Sequence, residues 1–181
     1  MWRHLLSTGV VLMLFCATTL VGDVPGGSVL SNEPPWDSED GDFKAWLGVT
    51  LDTHRLVKIS DAPDRHPTPI PVGVSRVVPE QNFAIFLLFA GCKAAVDGNC
   101  HTTSTYEILL PDGSVAVSRE HLPVWPWSAP KPGRVELSRA IWVTSAEASD
   151  PPGTNRIRAT VTDHIAKKTL VLERQLVLEK P

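Results

Sequence analysis

The stretch Arg156-Ile157-Arg158-Ala159-Thr160-Val161-Thr162-Asp163 decides the fold. Apolar Ile157, Ala159 and Val161 alternate with Arg156, Arg158, Thr160 and Thr162. Successive side chains on a strand point to opposite faces, so a period of two describes a strand with one buried and one wet face. A turn over residues 163–168 leads into residues 169–178, where Leu170, Leu172, Leu176 and Leu178 share a face. Arg174 falls on that same face, which predicts a bulge or an edge position. A helix is the rival there, because Leu170, Val171, Arg174, Val177 and Leu178 also fit a helical stripe. The strand is preferred because its predecessor gives it a partner to pair with.

Working outward, the same rhythm recurs. Ala45, Leu47, Val49 and Leu51 alternate with Trp46, Gly48, Thr50 and Asp52. Val72, Val74 and Val78 line one face of a second strand, interrupted by Arg76. Residues 83–90 are a continuous apolar run, as expected of a central strand covered on both sides. Tyr106, Ile108 and Leu110 precede the turn Pro111-Asp112-Gly113, and Val115 and Val117 follow it, so residues 103–118 read as a hairpin. Val135, Leu137, Ile141 and Val143 form a further alternating set. The sum is about eight strands, no long helix, no internal repeat and 16 prolines concentrated in the connections. This predicts an all-β protein, an immunoglobulin-like β-sandwich in the loose sense. The antibody pattern of distant cysteines joining two sheets across a tryptophan is absent.

The N-terminus reads differently. Arg3 and His4 precede residues 5–22, which carry no Asp, Glu, Lys or Arg and hold an apolar centre at residues 10–16. Asp23 and a Pro-Gly-Gly turn follow, as after a secretory signal peptide. Ser7, Thr8, Thr18 and Thr19 dilute the run below what a spanning helix wants. The expected organisation is a signal peptide over 1–22, a flexible acidic leader over 23–42 and a β-sandwich domain over 43–181. Removal of residues 1–22 takes away Arg3 and no carboxylate, leaving 16 basic and 20 acidic residues, a net charge of −4 with histidine neutral. That balance argues against nucleic acid or an anionic membrane as partner, and no later stretch is apolar enough to span a bilayer. Cys92 and Cys100 remain after cleavage, and an even count in an exported chain favours a disulfide. Two buried thiols are the rival reading. A bridge at this spacing would contribute about 2–3 kcal/mol by the chain-entropy argument.

Several local patterns stand together: Ala90-Gly91-Cys92, Asp97-Gly98-Asn99-Cys100, Pro111-Asp112-Gly113-Ser114, and Asp150-Pro151-Pro152-Gly153 leading into Ala159-Thr160-Val161-Thr162-Asp163. In that order the chain resembles small exported bacterial immunoglobulin-like β-sandwich proteins of unassigned function, over roughly residues 43–179. The resemblance implies a periplasmic or surface location and carries no catalytic residue. One position departs from it: after Gly153-Thr154 an aromatic residue is expected, and Asn155 stands there.

Signatures of chemistry are missing. There is no nucleophile elbow, no His-Glu-x-x-His, no phosphate-binding glycine loop and no Cys-x-x-Cys. His54, His66, His101, His121 and His164 are scattered one per segment, and scattered surface histidines are their ordinary explanation. Glu120 and His121 are neighbours on a strand and should face opposite ways. The acidic run ending at Asp42 lacks the alternating order of a calcium loop. No catalytic residue, cofactor or metal is expected. The most suggestive binding feature is the loop over residues 122–134, where Trp125 and Trp127 flank Pro126 within a run containing Pro123, Pro130 and Pro132. Prolines stiffen such a loop, and exposed tryptophans offer flat faces to a sugar or a protein. Burial of one or both tryptophans over the sandwich edge is the favoured reading, since tryptophan is highly buried on average. Trp46 and Trp142, opposite their strands' main apolar sets, read as structural. The function expected is an exported, non-enzymatic binding or structural module working through protein contacts in the cell envelope. A carbohydrate-binding module using the Trp-Pro-Trp loop is the alternative, and a hydrolase with a loop-built site the second.

Overall fold

The computed structural model describes residues 36–60 and 73–180. The expected signal peptide and the leader as far as residue 35 lie outside the described residues, as do Val72, His66 and Pro181. Ten strands and one short helix follow in the order β1 (Ser38–Asp40), β2 (Phe43–Thr50), α1 (Thr53–Ser60), β3 (Arg76–Val77), β4 (Asn82–Ala90), β5 (Thr102–Leu109), β6 (Val115–Pro123), β7 (Glu136–Leu137), β8 (Trp142–Ser145), β9 (Gly153–Asp163) and β10 (Lys168–Leu178). One sheet runs β1-β2-β4 with β7 and β8 both on the far side of β4; the other runs β3-β10-β9-β5-β6. Except for the parallel β3–β10 pair, the ladders are antiparallel.

The two sheets share one core. Phe43, Ala45, Leu47 and Val49 of β2 and Phe83, Ile85, Leu87 and Phe89 of β4 meet Ile157, Ala159 and Val161 of β9 and the four leucines of β10. This two-layer β arrangement is what the alternating patterns predict. The apolar run of β4 is explained by its second face. Ala84, Phe86 and Leu88 form a separate outer cluster with Leu56 of α1, and Trp46, Leu137 and Ile141 pack against it. Gly48 belongs to this outer layer: a Cβ there would lie 2.4 Å from the Phe86 ring and 2.5 Å from that of Trp46. Its lack of a side chain lets those two rings meet edge to face at 5.7 Å.

Several expectations are corrected. Residues 53–60, for which the pattern gives no helix, form α1; Asp52 caps it, its Oδ1 accepting the Arg55 N–H at 3.2 Å. The sheet starts at Ser38 rather than Phe43, because the end of the acidic segment folds back as β1 onto β2. The second strand is only two residues long, with Val77 buried and Val78 exposed. The set Val135, Leu137, Ile141 and Val143 does not face the main core. Glu136, Ser138, Ala140 and Trp142 are the buried residues, while Val135, Leu137 and Ile141 cover the outer face and Val143 is exposed. Trp142 therefore faces the sandwich interior, with Arg119 stacked at 5.3 Å from its ring. Tyr106 is fully buried; its hydroxyl donates to the Ala140 carbonyl at 2.5 Å, and burial pushes its phenol far above the usual tyrosine range.

Residues 168–178 are a strand, and the β9–β10 register is continuous, so Arg174 sits on no bulge. It does lie at an edge, since β3 pairs only with Val177 and Leu178. From that inward position its guanidinium crosses to the other sheet. Nε donates to the Leu47 carbonyl at 2.9 Å and Nη2 to the Asp37 carboxylate at 2.7 and 3.0 Å, while the Leu47 N–H donates to Asp37 Oδ2 at 2.8 Å. The side chains of Asp37 and Arg174 thus occupy backbone groups on the edge of β2 that a neighbouring chain could otherwise pair with. Arg174 also lies over the Trp46 ring at 5.3 Å. Replacing Arg174 with Met should destabilise the fold by about 1–3 kcal/mol, and a double-mutant cycle with Asp37→Asn should return a coupling well above zero. Additive losses in urea denaturation would show that the bridge is not a unit.

Candidate functional site

Three loops converge at the end of the sandwich where β4 leaves its sheet. The first is the Cys92–Cys100 disulfide hairpin, present as the even cysteine count suggested. Gly91 launches it at φ +73, and a Cβ there would lie 1.7 Å from the Asp42 carbonyl oxygen, so only glycine fits. The hairpin closes through Ala95 N–H to Asn99 O at 2.9 Å and Gly98 N–H to Ala95 O at 2.9 Å. Asp97 braces the turn: Oδ1 accepts the Asn99 N–H at 3.0 Å, and Oδ2 accepts the Asn99 side-chain amide at 3.1 Å. These two bonds, with a smaller contribution from His101 at 3.6 Å, hold the Asp97 carboxyl below its usual range. Val96 is fully exposed at the tip.

The second loop carries the tryptophans. Cys100 donates its N–H to Trp127 O at 2.9 Å and Ala129 donates to Gly98 O at 3.0 Å, so this loop runs alongside the hairpin. Trp125 is 8% exposed, packs against Phe89 at 5.7 Å and gives its indole N–H to Ser128 O at 2.9 Å. Trp127 is half-buried, edge-on to Trp125 at 4.6 Å, with Arg139 over its ring at 5.4 Å. The loop's far end is fixed by an ion pair between Arg134 and Glu136. Burial pushes the Glu136 carboxyl up, and Arg134 opposes that rise.

The third loop is the β9–β10 turn, organised by Asp163. This residue is fully buried; Oδ1 accepts the Ile165 and Ala166 N–H groups, each at 2.9 Å, and Oδ2 accepts the Lys93 N–H at 2.7 Å. One carboxyl group therefore ties the turn to the start of the disulfide hairpin. His164 joins the turn to β5: its N–H donates to His101 O at 3.0 Å, and its Nε2 lies 2.8 Å from Thr103 Oγ1. Between the three loops lies an open cleft of about 350 Å³ whose lining includes His101, Thr103, Trp125 and His164.

Of the scattered histidines, two are thus brought together and two are not: His54 stands on α1 and His121 on β6. Nothing in their linear spacing signals the pairing of His101 with His164, which depends on β5 lying beside β9. Glu120 and His121 approach to 3.9 Å, contrary to strict alternation, because His121 takes a positive φ of 55. Among the described residues no group of three or more His, Cys, Asp or Glu is placed to hold a metal ion. No helix among them is long and apolar enough to cross a membrane.

No family model matches the chain, and no curated protein matches it. One solved structure with a similar chain is a family 123 glycoside hydrolase from Clostridium perfringens, described in connection with glycolipid glycan hydrolysis. The identity is 8% and the TM-score 0.40, over 76% of this chain and 28% of that one. The chain thus spans little more than a quarter of that enzyme's length, and nothing of its activity carries over.

Asp97 gives the hairpin a defined pH response. Its carboxyl is depressed in the folded state, so the bracing is fully present above the unfolded value and is lost as pH falls through the folded one. The Asn99 amide proton shift, followed by NMR, should move on acidification with a midpoint below the ordinary carboxylate value. A shift that stays flat, or titrates at the ordinary value, would contradict this bracing.

Proposed function

We propose that this domain is a non-enzymatic binding module that works through protein contacts, in an exported, envelope-associated setting. The observation that carries the reading is Val96, an apolar side chain fully exposed at the tip of a hairpin already ordered by a disulfide, internal turns and the neighbouring loop. A pre-ordered loop loses little entropy on association, so an apolar anchor on it contributes more of its burial energy to binding. Export by residues 1–22 and an immunoglobulin-like strand arrangement belong to the same proposal; the disulfide supports an oxidising compartment.

A carbohydrate reading that uses the two tryptophans as an open platform has less support. Trp125 is largely buried, and Trp127 has Trp125 on one side and Arg139 over its ring. The hairpin reading makes a positional claim. A photo-crosslinking residue at position 96 in the native envelope should give a discrete adduct, and the same residue at exposed Val171 on β10 should give none. Equal labelling from both positions, or no adduct from position 96, would sink the proposal.

A further inference from the structure

The cleft beside the hairpin is lined by groups that suit a different ligand from the one Val96 would contact. Asn99, His101, Thr103 and His164 supply the polar side chains, and among the described residues no carboxylate, ammonium or guanidinium group lines it. Recognition there cannot rest on the fixed charge of a lining side chain. Amide, hydroxyl and imidazole groups have a property in common: each kind can both donate and accept hydrogen bonds. The groups they match best are hydroxyls, which do the same. Thr102 also lines the cleft, but its Oγ1 is buried within the protein, so the hydroxyl on this strand that a ligand can reach is that of part-exposed Thr103.

The remaining wall is apolar. Pro123, Pro126 and the exposed edge of Trp125 form it, and Trp125 is held in place by Phe89 and by its bond to Ser128. A ring that carries hydroxyls around its rim and C–H groups on its faces meets both halves of such a lining. At about 350 Å³ the cleft is at the small end of ligand sites, and its openness fits one or two rings with the rest of a chain in solvent. We propose that this cleft binds an uncharged sugar residue, with Thr103 and His164 on the hydroxyl groups and Trp125 and Pro126 against the ring face. This site is separate from the proposed contact at Val96, so either can fail without the other.

Saturation-transfer NMR on the intact folded domain tests the assignment, with the methyl glycosides of glucose, galactose and mannose and with N-acetylglucosamine as probes at millimolar concentration. At least one of these should be saturated, and should shift the His101 and His164 ring signals and the Trp125 indole N–H. Thr103→Val keeps the side chain's shape and removes its hydroxyl, and His164→Ala removes the imidazole from an exposed turn. Each should weaken binding by about five-fold or more, the cost of one lost hydrogen bond, with the other amide signals unmoved. The proposal is overturned if no probe is saturated, if both variants bind as well as the native protein, or if inorganic phosphate or acetate shifts these signals in preference to every glycoside.

Discussion

The organisation of the end of the domain that carries the disulfide hairpin and the cleft depends on one buried carboxyl group. Asp163 closes β9, and its two oxygens accept three backbone N–H groups, two from its own turn and one from Lys93. Lys93 follows β4 and Cys92, so the bond joins the exit of one sheet to the far turn of the other. A buried acceptor without donors would cost several kcal/mol, whereas a satisfied one fixes the groups around it. Three consequences follow from that fixing. The disulfide hairpin leaves the sheet in a single direction, His164 reaches Thr103, and the cleft acquires its walls.

The rest of the sandwich is governed by exposure of apolar faces and strand edges. A strand as apolar on both faces as β4 needs two coverings, and the sequence supplies them: the second sheet on one side, α1 with the residues around β7 on the other. Edges are then limited by several means. Strands β1, β3, β7 and β8 have four residues or fewer. Strand β6 is the long edge, and it is interrupted by two register irregularities against β5, by the positive φ of His121 and by Pro123. The Arg174–Asp37 bridge covers backbone groups of β2. An inward-pointing arginine that looks like a flaw in an apolar pattern is, in three dimensions, the means of closing one corner.

Much of this was legible from residue pattern because period-two alternation is a local property. The strands β9 and β10, the hairpin across Asp112 and Gly113, and the two-faced run in β4 follow from neighbours in sequence. What escaped depended on partners distant in sequence. Around β7 and β8 the alternating pattern points to the wrong face, since the larger aliphatic side chains serve the outer layer while Glu136, Ser138 and Ala140 are the buried residues. Hydrophobicity alone cannot rank two apolar layers. Helix α1 has only eight residues, too few for a periodic signal to stand out, although Asp52 ahead of Thr53 was a capping cue. The cysteine pair was readable from the proximity of Cys92 and Cys100 and from the oxidising compartment that the N-terminal pattern leads one to expect. The meeting of His101 and His164 was not, because it exists only through the β5–β9 ladder.

The tryptophans of the loop over residues 122–134 serve largely to build the scaffold, with Trp125 also forming one wall of the cleft. What they support is a pair of pre-ordered features, an exposed apolar tip and a neutral cleft, both anchored through Asp163. The most direct test of that anchoring is amide hydrogen exchange in Asp163→Asn, where one acceptor oxygen is replaced by a donor. The account predicts that Lys93, Ala95, Cys100 and Ala129 lose protection together with Ile165 and Ala166, while the amides of β2 and β4 keep theirs. Retained protection across the hairpin would contradict it, and would mean that the disulfide, the turn bonds and the neighbouring loop hold this end of the molecule in place without Asp163.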